Sequence, residues 1–218
     1  IDNQSQVNFV LNKAQGFATQ LYPIGALSKE SAGKDMAELY DMKKAGAVAF
    51  GDYNKSLDNA NLLKIALKYV QDFDGLILSF CQDENIKGNG VANEGIVSTR
   101  LGLKGIPNLA EELQIARNLF LLEYTGGKLH IPTISTKKSV QLIKEAKANG
   151  LNVTCSVAVH NLVLTDEKLE GFDTRYKVSP PLRTETDRKA LLKGIKDGTI
   201  DMITSDHNPI DIEHKKME

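Results

Sequence analysis

The chain has 218 residues, of which 41% are hydrophobic and 25% charged, and its formal net charge is -1. This balance gives no sign of the basic surface that nucleic-acid binding needs, and no apolar run reaches the roughly 20 residues of a membrane span. The first residues, Ile1 to Gln4, do not resemble a signal peptide. Cys81 and Cys155 lie in apolar segments and are predicted to be buried free thiols. We therefore predict a cytoplasmic protein with neither a nucleic-acid nor a membrane partner.

Short apolar runs alternate along the chain with longer amphipathic stretches, which is typical of βα units around a parallel sheet. The predicted strands are 21–24, 47–50, 76–81, 129–134, 153–159 and 201–204. The predicted helices, with apolar spacing near 3.6 residues, are 36–42, 62–70, 110–124, 139–148 and 186–196. No internal repeat or linker appears, so residues 1–218 are predicted to form a single domain.

The number and spacing of these elements make most of an eight-stranded (β/α) barrel, which usually takes about 250 residues. The alternative is an open, doubly wound sheet. A dinucleotide-binding sheet of that kind needs the turn G-x-G-x-x-G after an early strand, and the chain contains none. We therefore predict an α/β protein with a (β/α)8 TIM-type barrel whose N- and C-terminal parts are missing.

Two carboxylates follow predicted strands directly, at the ends where barrel enzymes place their chemistry. Asp52 follows the strand 47–50, and Asp206 follows the strand 201–204. A carboxylate in such a position can ligate a divalent metal and accept a proton from metal-bound water. The alternative for each is a turn-forming carboxylate, before Pro209 in the case of Asp206. Asp206 is the stronger candidate.

The four histidines complete no recognised metal motif in this segment. His130 lies inside an apolar strand and is predicted to be structural, and His214 lies in the polar tail. His160 and His207 remain as candidate active-site groups. The chain contains no H-x-H, H-E-x-x-H or C-x-x-C for zinc, and no G-x-S-x-G for a serine hydrolase.

Two longer segments are distinctive: 93–98, which reads Asn-Glu-Gly-Ile-Val-Ser, and 101–107, which reads Leu-Gly-Leu-Lys-Gly-Ile-Pro. Shorter ones are 21–27, 45–50, 135–136, 164–166, 180–185 and 197–201. Together, and in this order, they resemble the signature of the dihydroorotases, in the cyclic amidohydrolase branch of the amidohydrolase superfamily. The resemblance covers essentially the whole chain, and such a set of matches is highly specific.

The resemblance implies a metal-dependent barrel, usually with zinc, that interconverts dihydroorotate and N-carbamoyl-aspartate in pyrimidine biosynthesis. It also implies that the H-x-H motif of the family would lie before Ile1, as would half of a small β-sandwich that resumes after Glu218. On this interpretation the chain is a segment of a longer protein. A barrel short of strands exposes unpaired edges, so we expect either homo-oligomerisation or a longer parent chain.

Position by position, the resemblance gives Asp52 the role of a metal ligand and Asp206 the roles of metal ligand and general base. Where the family has two further metal-binding histidines, this chain has Phe80 and Thr133. Neither side chain can replace an imidazole.

The positions that would contact substrate are also changed. Ser179 replaces the asparagine of the family pattern Asn-Pro-Pro-Leu-Arg, and Ile210 replaces the histidine that ends Asp-His-Ala-Pro-His. His160 keeps the first of two adjacent histidines, and Asn161 replaces the second. A site that lacks the polar partners of its substrate loses discrimination. The sequence therefore assigns no substrate-binding residue.

These substitutions favour a catalytically degenerate dihydroorotase homologue. The family suggests aspartate carbamoyltransferase as its partner, because dihydroorotase-like chains can form a complex with this preceding enzyme of the pathway. The alternative is an active zinc-dependent cyclic amidohydrolase that acts on dihydroorotate or a related cyclic amide. In that case Asp52, Asp206 and the two histidines of H-x-H would hold a single zinc.

Overall fold

The computed structural model describes residues 1–216, which divide into two compact units. Unit 1 comprises Ile1–Phe80, Arg117–His130 and Leu151–Val153. Unit 2 comprises Cys81–Ala116, Ile131–Gly150 and the chain from Thr154 onward. The prediction that residues 1–218 form a single domain stays a prediction.

Helices and strands alternate along most of the chain. In chain order they are α1 (Gln4–Lys13), β1 (Ile24–Gly25), α2 (Leu39–Ala45), β2 (Ala49–Phe50), α3 (Ala60–Tyr69), β3 (Ile77–Leu78), α4 (Glu84–Lys87), β4 (Ala92–Asn93), α5 (Ile96–Leu101), β5 (Gly105–Ile106), α6 (Asn108–Thr125), β6 (Leu129–Ile131), α7 (Lys137–Ala148), β7 (Val153–Ala158), α8 (Val159–Val163), α9 (Glu185–Lys196), β8 (Met202–Thr204) and α10 (Ile212–Lys216). Short 3-10 helices lie at Lys29–Ser31, Val70–Phe73, Asp166–Gly171 and Thr174–Tyr176.

Unit 1 is built on parallel strands joined by helices. β1 pairs with β2, β2 with β3, and β3 with β6, all in parallel, with Phe50 opposite Ile77 and Leu78 opposite His130. The apolar residues of α2 and α3 recur at helical spacing, so one face of each helix is buried. The fully buried side chains of this core include Met42, Phe50, Leu63, Leu67 and Ile77.

Unit 2 contains two pairs of parallel strands. In one pair Ser156 of β7 lies opposite Met202 of β8, and in the other Ala92 of β4 lies opposite Gly105 of β5. Helices α7 and α9 pack together, and Gly194 marks their close approach. A Cβ atom at Gly194 would lie 3.0 Å from a side-chain carbon of Val140 in α7. A side chain at this position would require its neighbours to shift, so glycine suits this close packing.

Side-chain caps fix where the main helices begin. Thr136 caps α7 by accepting the amide of Ser139, as its place before Lys137 suggests. The N-cap of α3 is Asn59, whose side chain accepts the amides of Asn61 and Leu62. These caps satisfy amides that have no partner within the helix.

The structure contains a strand within or overlapping each of the six predicted ones, although most are only two or three residues long. It also contains β4 and β5, which the sequence did not predict because neither lies in an apolar run of strand length. Cys81 and Cys155 are buried free thiols, as predicted. Within residues 1–216, none of the helices combines the length and the apolar character needed to span a bilayer.

Candidate metal centre and polar network at the strand ends

Asp52 follows the end of β2 in unit 1, and its carboxylate accepts three hydrogen bonds from a neighbouring loop. Oδ1 accepts the amides of Leu27 at 2.9 Å and Ser28 at 3.0 Å, and Oδ2 accepts the hydroxyl of Ser28 at 2.5 Å. Ser28 Oγ in turn accepts the amide of Gly33 at 2.8 Å. Leu27 and Ser28 are buried. We call Asp52, Leu27 and Ser28 the Asp52 latch.

The end of β3, also in unit 1, carries Phe80 where the resemblance implies a histidine. The Phe80 ring is buried and has no atom that could coordinate a metal. Beside it, the hydroxyl of Ser79 accepts a hydrogen bond from Asn118 Nδ2 at 3.0 Å. Gly51 lies against this strand, since a Cβ atom there would be 2.7 Å from the carbonyl oxygen of Leu78. That close approach fixes the position of the chain just before Asp52.

In unit 2, Thr133 occupies the second position where the resemblance implies a histidine. Its φ of +50° lies in the left-handed region, which β-branched residues seldom adopt. Its amide donates to Ser156 Oγ at 3.2 Å, and the next amide, of Ile134, donates to the carbonyl of Ser156 at 2.9 Å. These bonds hold the turn in place, and a hydroxyl there cannot replace an imidazole as a zinc ligand.

Asp206 lies beyond β8 in unit 2, is partly buried and has a φ of +47°. Its amide donates to Thr204 Oγ1 at 3.1 Å. Burial lowers the pKa of His160, and Lys215 lowers it further, whereas the negative charge of Asp206 opposes the shift. Burial therefore favours neutral His160, and within residues 1–216 its buried Nε2 has no hydrogen-bond partner.

Left-handed residues other than glycine recur just beyond the strands. Tyr53 has a φ of +54° directly after Asp52, and Thr133 and Asp206 lie beyond β6 and β8. Such conformations cost about 1–3 kcal/mol each and cluster at functional sites. Glu30, Ser31, Asp74 and Phe172 also have a positive φ, so this geometry is not confined to the strand ends.

The remaining histidines do not add a ligand set. His130 is buried within β6, in agreement with its predicted structural role. His207 is exposed, and His214 pairs with Asp211 at 2.5 Å between Nδ1 and Oδ2. Within the described part of the chain, no group of three or more His, Cys, Asp or Glu side chains is arranged to hold a metal ion.

A complete zinc site needs four N, O or S donors around the metal, or three with an open position. Phe80 and Thr133 supply no imidazole, and both carboxylate oxygens of Asp52 accept hydrogen bonds from the loop that contains Leu27 and Ser28. The residues present therefore do not fit the zinc site that the resemblance implies. The roles of Asp52 and Asp206 as metal ligands, and of Asp206 as general base, stay predictions.

The most extensive polar cluster of unit 2 centres on Arg183, which is 3% exposed. Its Nε donates to Ser135 Oγ at 3.0 Å, and its Nη1 donates to Asn93 Oδ1 at 3.0 Å and to the carbonyl of Ile106 at 2.8 Å. Nη2 lies 3.9 Å from Oε2 of the buried Glu111. A buried guanidinium needs such partners to offset its loss of water.

Glu111 anchors the other side of this cluster. It accepts the amides of Ser135 at 2.8 Å and Thr136 at 3.2 Å, the hydroxyl of Ser139 at 2.6 Å, and the hydroxyl of Ser135. Burial lowers the pKa of Arg183 and the charge of Glu111 opposes the shift, but an arginine stays protonated in proteins. We call Arg183, Glu111, Asn93, Ser135 and Asp166 the Arg183 network, since Asn93 donates to Asp166 at 2.8 Å.

Sequence reasoning used the segments that contain Asn93, Ser135, Asp166 and Arg183 only for the resemblance and assigned these residues no role. A signal was present at Arg183, which follows the apolar run Pro180-Pro181-Leu182. Arginine in an apolar setting is almost never buried unless it is paired. That rule predicts a buried partner, although it does not say which one.

Comparison with known proteins gives consistent results. A family model described as Dihydro-orotase-like matches residues 2–139. Similar curated proteins include the dihydroorotases of Pelotomaculum thermopropionicum, 48% identical over 219 residues, and Acetivibrio thermocellus, 46% identical over 218 residues. Each alignment covers 100% of this chain and 51% of the relative. The chain thus spans about half the length of the curated relatives it matches.

Solved structures show the same fold. L-hydantoinase (dihydropyrimidinase) from Arthrobacter aurescens matches 98% of this chain and 49% of its own, with a TM-score of 0.80 at 21% identity. Dihydroorotase from Saccharomyces cerevisiae, solved with 5-fluoroorotic acid, matches 100% of this chain and 61% of its own, with a TM-score of 0.74 at 15% identity. At such identities the likeness concerns the fold alone. It confirms the predicted fold class, a parallel sheet with alternating helices as in part of a (β/α) barrel.

Proposed function

Because this chain belongs to the dihydro-orotase-like family, we propose that it is part of a dihydroorotase homologue of pyrimidine biosynthesis whose metal centre is degenerate. The observation that carries the proposal is the pair Phe80 and Thr133, at the two positions where the resemblance implies histidines. The buried ring of Phe80 and the hydroxyl of Thr133 leave both positions without an imidazole.

Hydrolysis of an amide ring needs an activated water. Zinc supplies it in metal-dependent hydrolases by lowering the pKa of bound water to about 7. With two histidines absent and Asp52 held by three hydrogen bonds, the chain has few donors left to hold such an ion. Turnover of dihydroorotate is accordingly not the main role of this protein.

In this proposal the barrel is retained for assembly, with aspartate carbamoyltransferase as the partner. Met202 and Ile203 on β8 are 51% and 52% exposed, so this strand has a surface that a partner could cover. Apolar strands are normally covered by another strand, helix or subunit. The same exposed strand is compatible with homo-oligomerisation or with further strands of the same protein.

An active cyclic amidohydrolase with a single zinc is the second candidate. The observation that favours it is Asp206, which is partly buried beside His160 and whose carboxylate accepts no hydrogen bond within residues 1–216. A carboxylate in that state is available to a metal or to a proton. Such an enzyme would act on dihydroorotate or on a related cyclic amide.

One experiment separates the two candidates. The full-length protein is assayed for conversion between dihydroorotate and N-carbamoyl-aspartate with zinc and after chelation, alongside Asp206→Asn. The proposal expects no turnover under either condition. Zinc-dependent turnover that is lost in Asp206→Asn would establish the active enzyme instead. Purification alongside aspartate carbamoyltransferase tests the partner, and migration of the two as separate species would count against it.

A further inference from the structure

We infer that Asp52 anchors the loop 26–37 of unit 1 in this protein and is not available as a metal ligand. The inference rests on the proposed function, because a working zinc site would require the same carboxylate. The resemblance makes Asp52 a metal ligand, and the inference gives it a structural role instead.

The loop 26–37 is held together by its own backbone hydrogen bonds, in addition to its contacts with Asp52. Ser28 and Met36 form an isolated antiparallel bridge, the amide of Lys29 donates to the carbonyl of Asp35 at 2.9 Å, and the amide of Ala37 donates to the carbonyl of Leu27 at 2.9 Å. The loop is therefore an ordered unit, whose base is the pair Leu27 and Ser28.

Asp52 holds that base from 24 and 25 residues away. Its two carboxylate oxygens accept hydrogen bonds from the amides of Leu27 and Ser28 and from the hydroxyl of Ser28. Ser28 Oγ in turn accepts a hydrogen bond from the amide of Gly33. Charge-assisted hydrogen bonds of this kind are roughly twice as strong as neutral ones. One side chain thus fixes both the start of the loop and its middle.

Metal binding would compete with this latch. If Asp52 turned to a cation, the amides of Leu27 and Ser28 would lose their acceptor inside a buried segment. Each buried amide left without a partner would weaken metal binding about 5- to 150-fold. The cost is specific to Asp52, since the carboxylate of Asp206 accepts no hydrogen bond within the described residues.

The test is a double-mutant cycle on the full-length protein in the presence of a chelator. Ser28→Ala, Asp52→Ala and the double variant are unfolded in urea, with Asp35→Asn, an exposed aspartate of the same loop, as the matched control. Ser28→Ala should raise the unfolding equilibrium constant about 10- to 100-fold. In the double variant, the rise in the unfolding equilibrium constant should be at least about tenfold smaller than the product of the two single rises, because the two substitutions remove the same interaction. Asp35→Asn should change little.

The inference would be overturned if the rise in the unfolding equilibrium constant of the double variant equalled the product of the rises for Ser28→Ala and Asp52→Ala. So would a zinc-dependent rise in thermal midpoint that the unmodified protein shows and Asp52→Ala lacks. If Asp52→Ala fails to fold, hydrogen exchange of the unmodified protein decides: the Leu27 and Ser28 amides must be equally protected in zinc and in chelator. Protection that appears or disappears with zinc contradicts the latch.

The mutant cycle uses no substrate, so its failure can be told apart from failure of the proposed function. Zinc-independent turnover by a protein in which Ser28 and Asp52 remain coupled would refute the degenerate enzyme and leave the latch standing. Absence of turnover together with uncoupled Ser28 and Asp52 would refute the latch alone.

Discussion

The guanidinium of Arg183 donates a hydrogen bond to the side-chain carbonyl of Asn93 over 3.0 Å, although 90 residues separate them. Asn93 donates to the carboxylate of Asp166, and the amide of Asp166 donates to the carbonyl of Arg183 at 3.0 Å. These three residues form a closed circuit inside unit 2. Three segments that look unrelated in the sequence are therefore fixed to one another by polar contacts in a buried setting.

Removal of the Arg183 guanidinium should destabilise the protein strongly. Arg183→Met keeps the length of the side chain but leaves Glu111 buried without its cation, which costs about 3–5 kcal/mol. Urea unfolding measures the effect. Arg175→Met, at an exposed arginine, is the control and should change the stability little. A loss below about 1 kcal/mol in Arg183→Met would show that the network does not stabilise the fold.

The left-handed backbone at Thr133 should make Thr133→Asn stabilising. Left-handed geometry costs an ordinary L-residue roughly 1–2 kcal/mol, and asparagine tolerates it better than a β-branched residue. We expect a gain of up to about 1 kcal/mol in the free energy of unfolding, measured in urea. Thr99→Asn, on the exposed side of α5, should be nearly neutral. Destabilisation by Thr133→Asn would mean that the threonine side chain makes a contact that offsets the strain.

The thiol of Cys155 should make stability fall at alkaline pH. Burial raises the pKa of Cys155 to about 12, whereas a thiol in an unfolded chain titrates near about 8.5. Between these values the folded state keeps a proton that the unfolded state loses, so the free energy of unfolding falls by about 1.4 kcal/mol per pH unit. Below about pH 8.5 the thiol is protonated in both states, so the folded protein keeps all of the stability that is lost at higher pH.

Cys155→Ala should remove that part of the pH dependence. Between pH 8 and 10, the unmodified protein should lose about 2 kcal/mol more stability than Cys155→Ala or Cys155→Ser, measured by urea unfolding at each pH. The comparison of slopes cancels the cost of the substitution itself. Parallel pH profiles would show that the thiol titrates normally in the folded state.

Histidines introduced at Phe80 and Thr133 should increase zinc retention. Each substitution adds the nitrogen donor that the resemblance implies at that position, and imidazole is a good zinc ligand. Zinc bound per chain after dialysis should rise in the doubly substituted protein, and rise further when Ser28→Ala weakens the hold on Asp52. Phe80→Leu with Thr133→Ser is the control without new donors and should retain no more zinc than the unmodified protein.

That experiment also tests the mapping of the site. Phe80→His places a polar ring in a buried position, so some loss of stability is expected whether or not zinc binds. If zinc retention is unchanged while the variants remain folded, Phe80 and Thr133 do not mark former ligand positions. The degenerate-site proposal would then lose its main support.

Most of the fold could be predicted from local pattern. The strand around Ile77 and the helix that buries Leu63 and Leu67 were predictable, since a short apolar run and helical spacing are properties of neighbouring residues. The strands β4 and β5 were not, because Ala92 and Gly105 gain their partners only from each other. Asp52 could be identified as a strand-end carboxylate, but its hydrogen bonds could not.

The sequence by itself determined the alternation of strands and helices and the strand-end positions of Asp52 and Asp206, and the resemblance added the expectation that Phe80 and Thr133 stand where the family has histidines. Only the tertiary structure decided what the retained side chains contact. Asp52 binds amides 24 and 25 residues away, and Arg183 binds groups up to 90 residues away. Hydrogen bonds over such separations depend on how the folded chain brings distant segments together, and no local pattern of residues encodes that geometry.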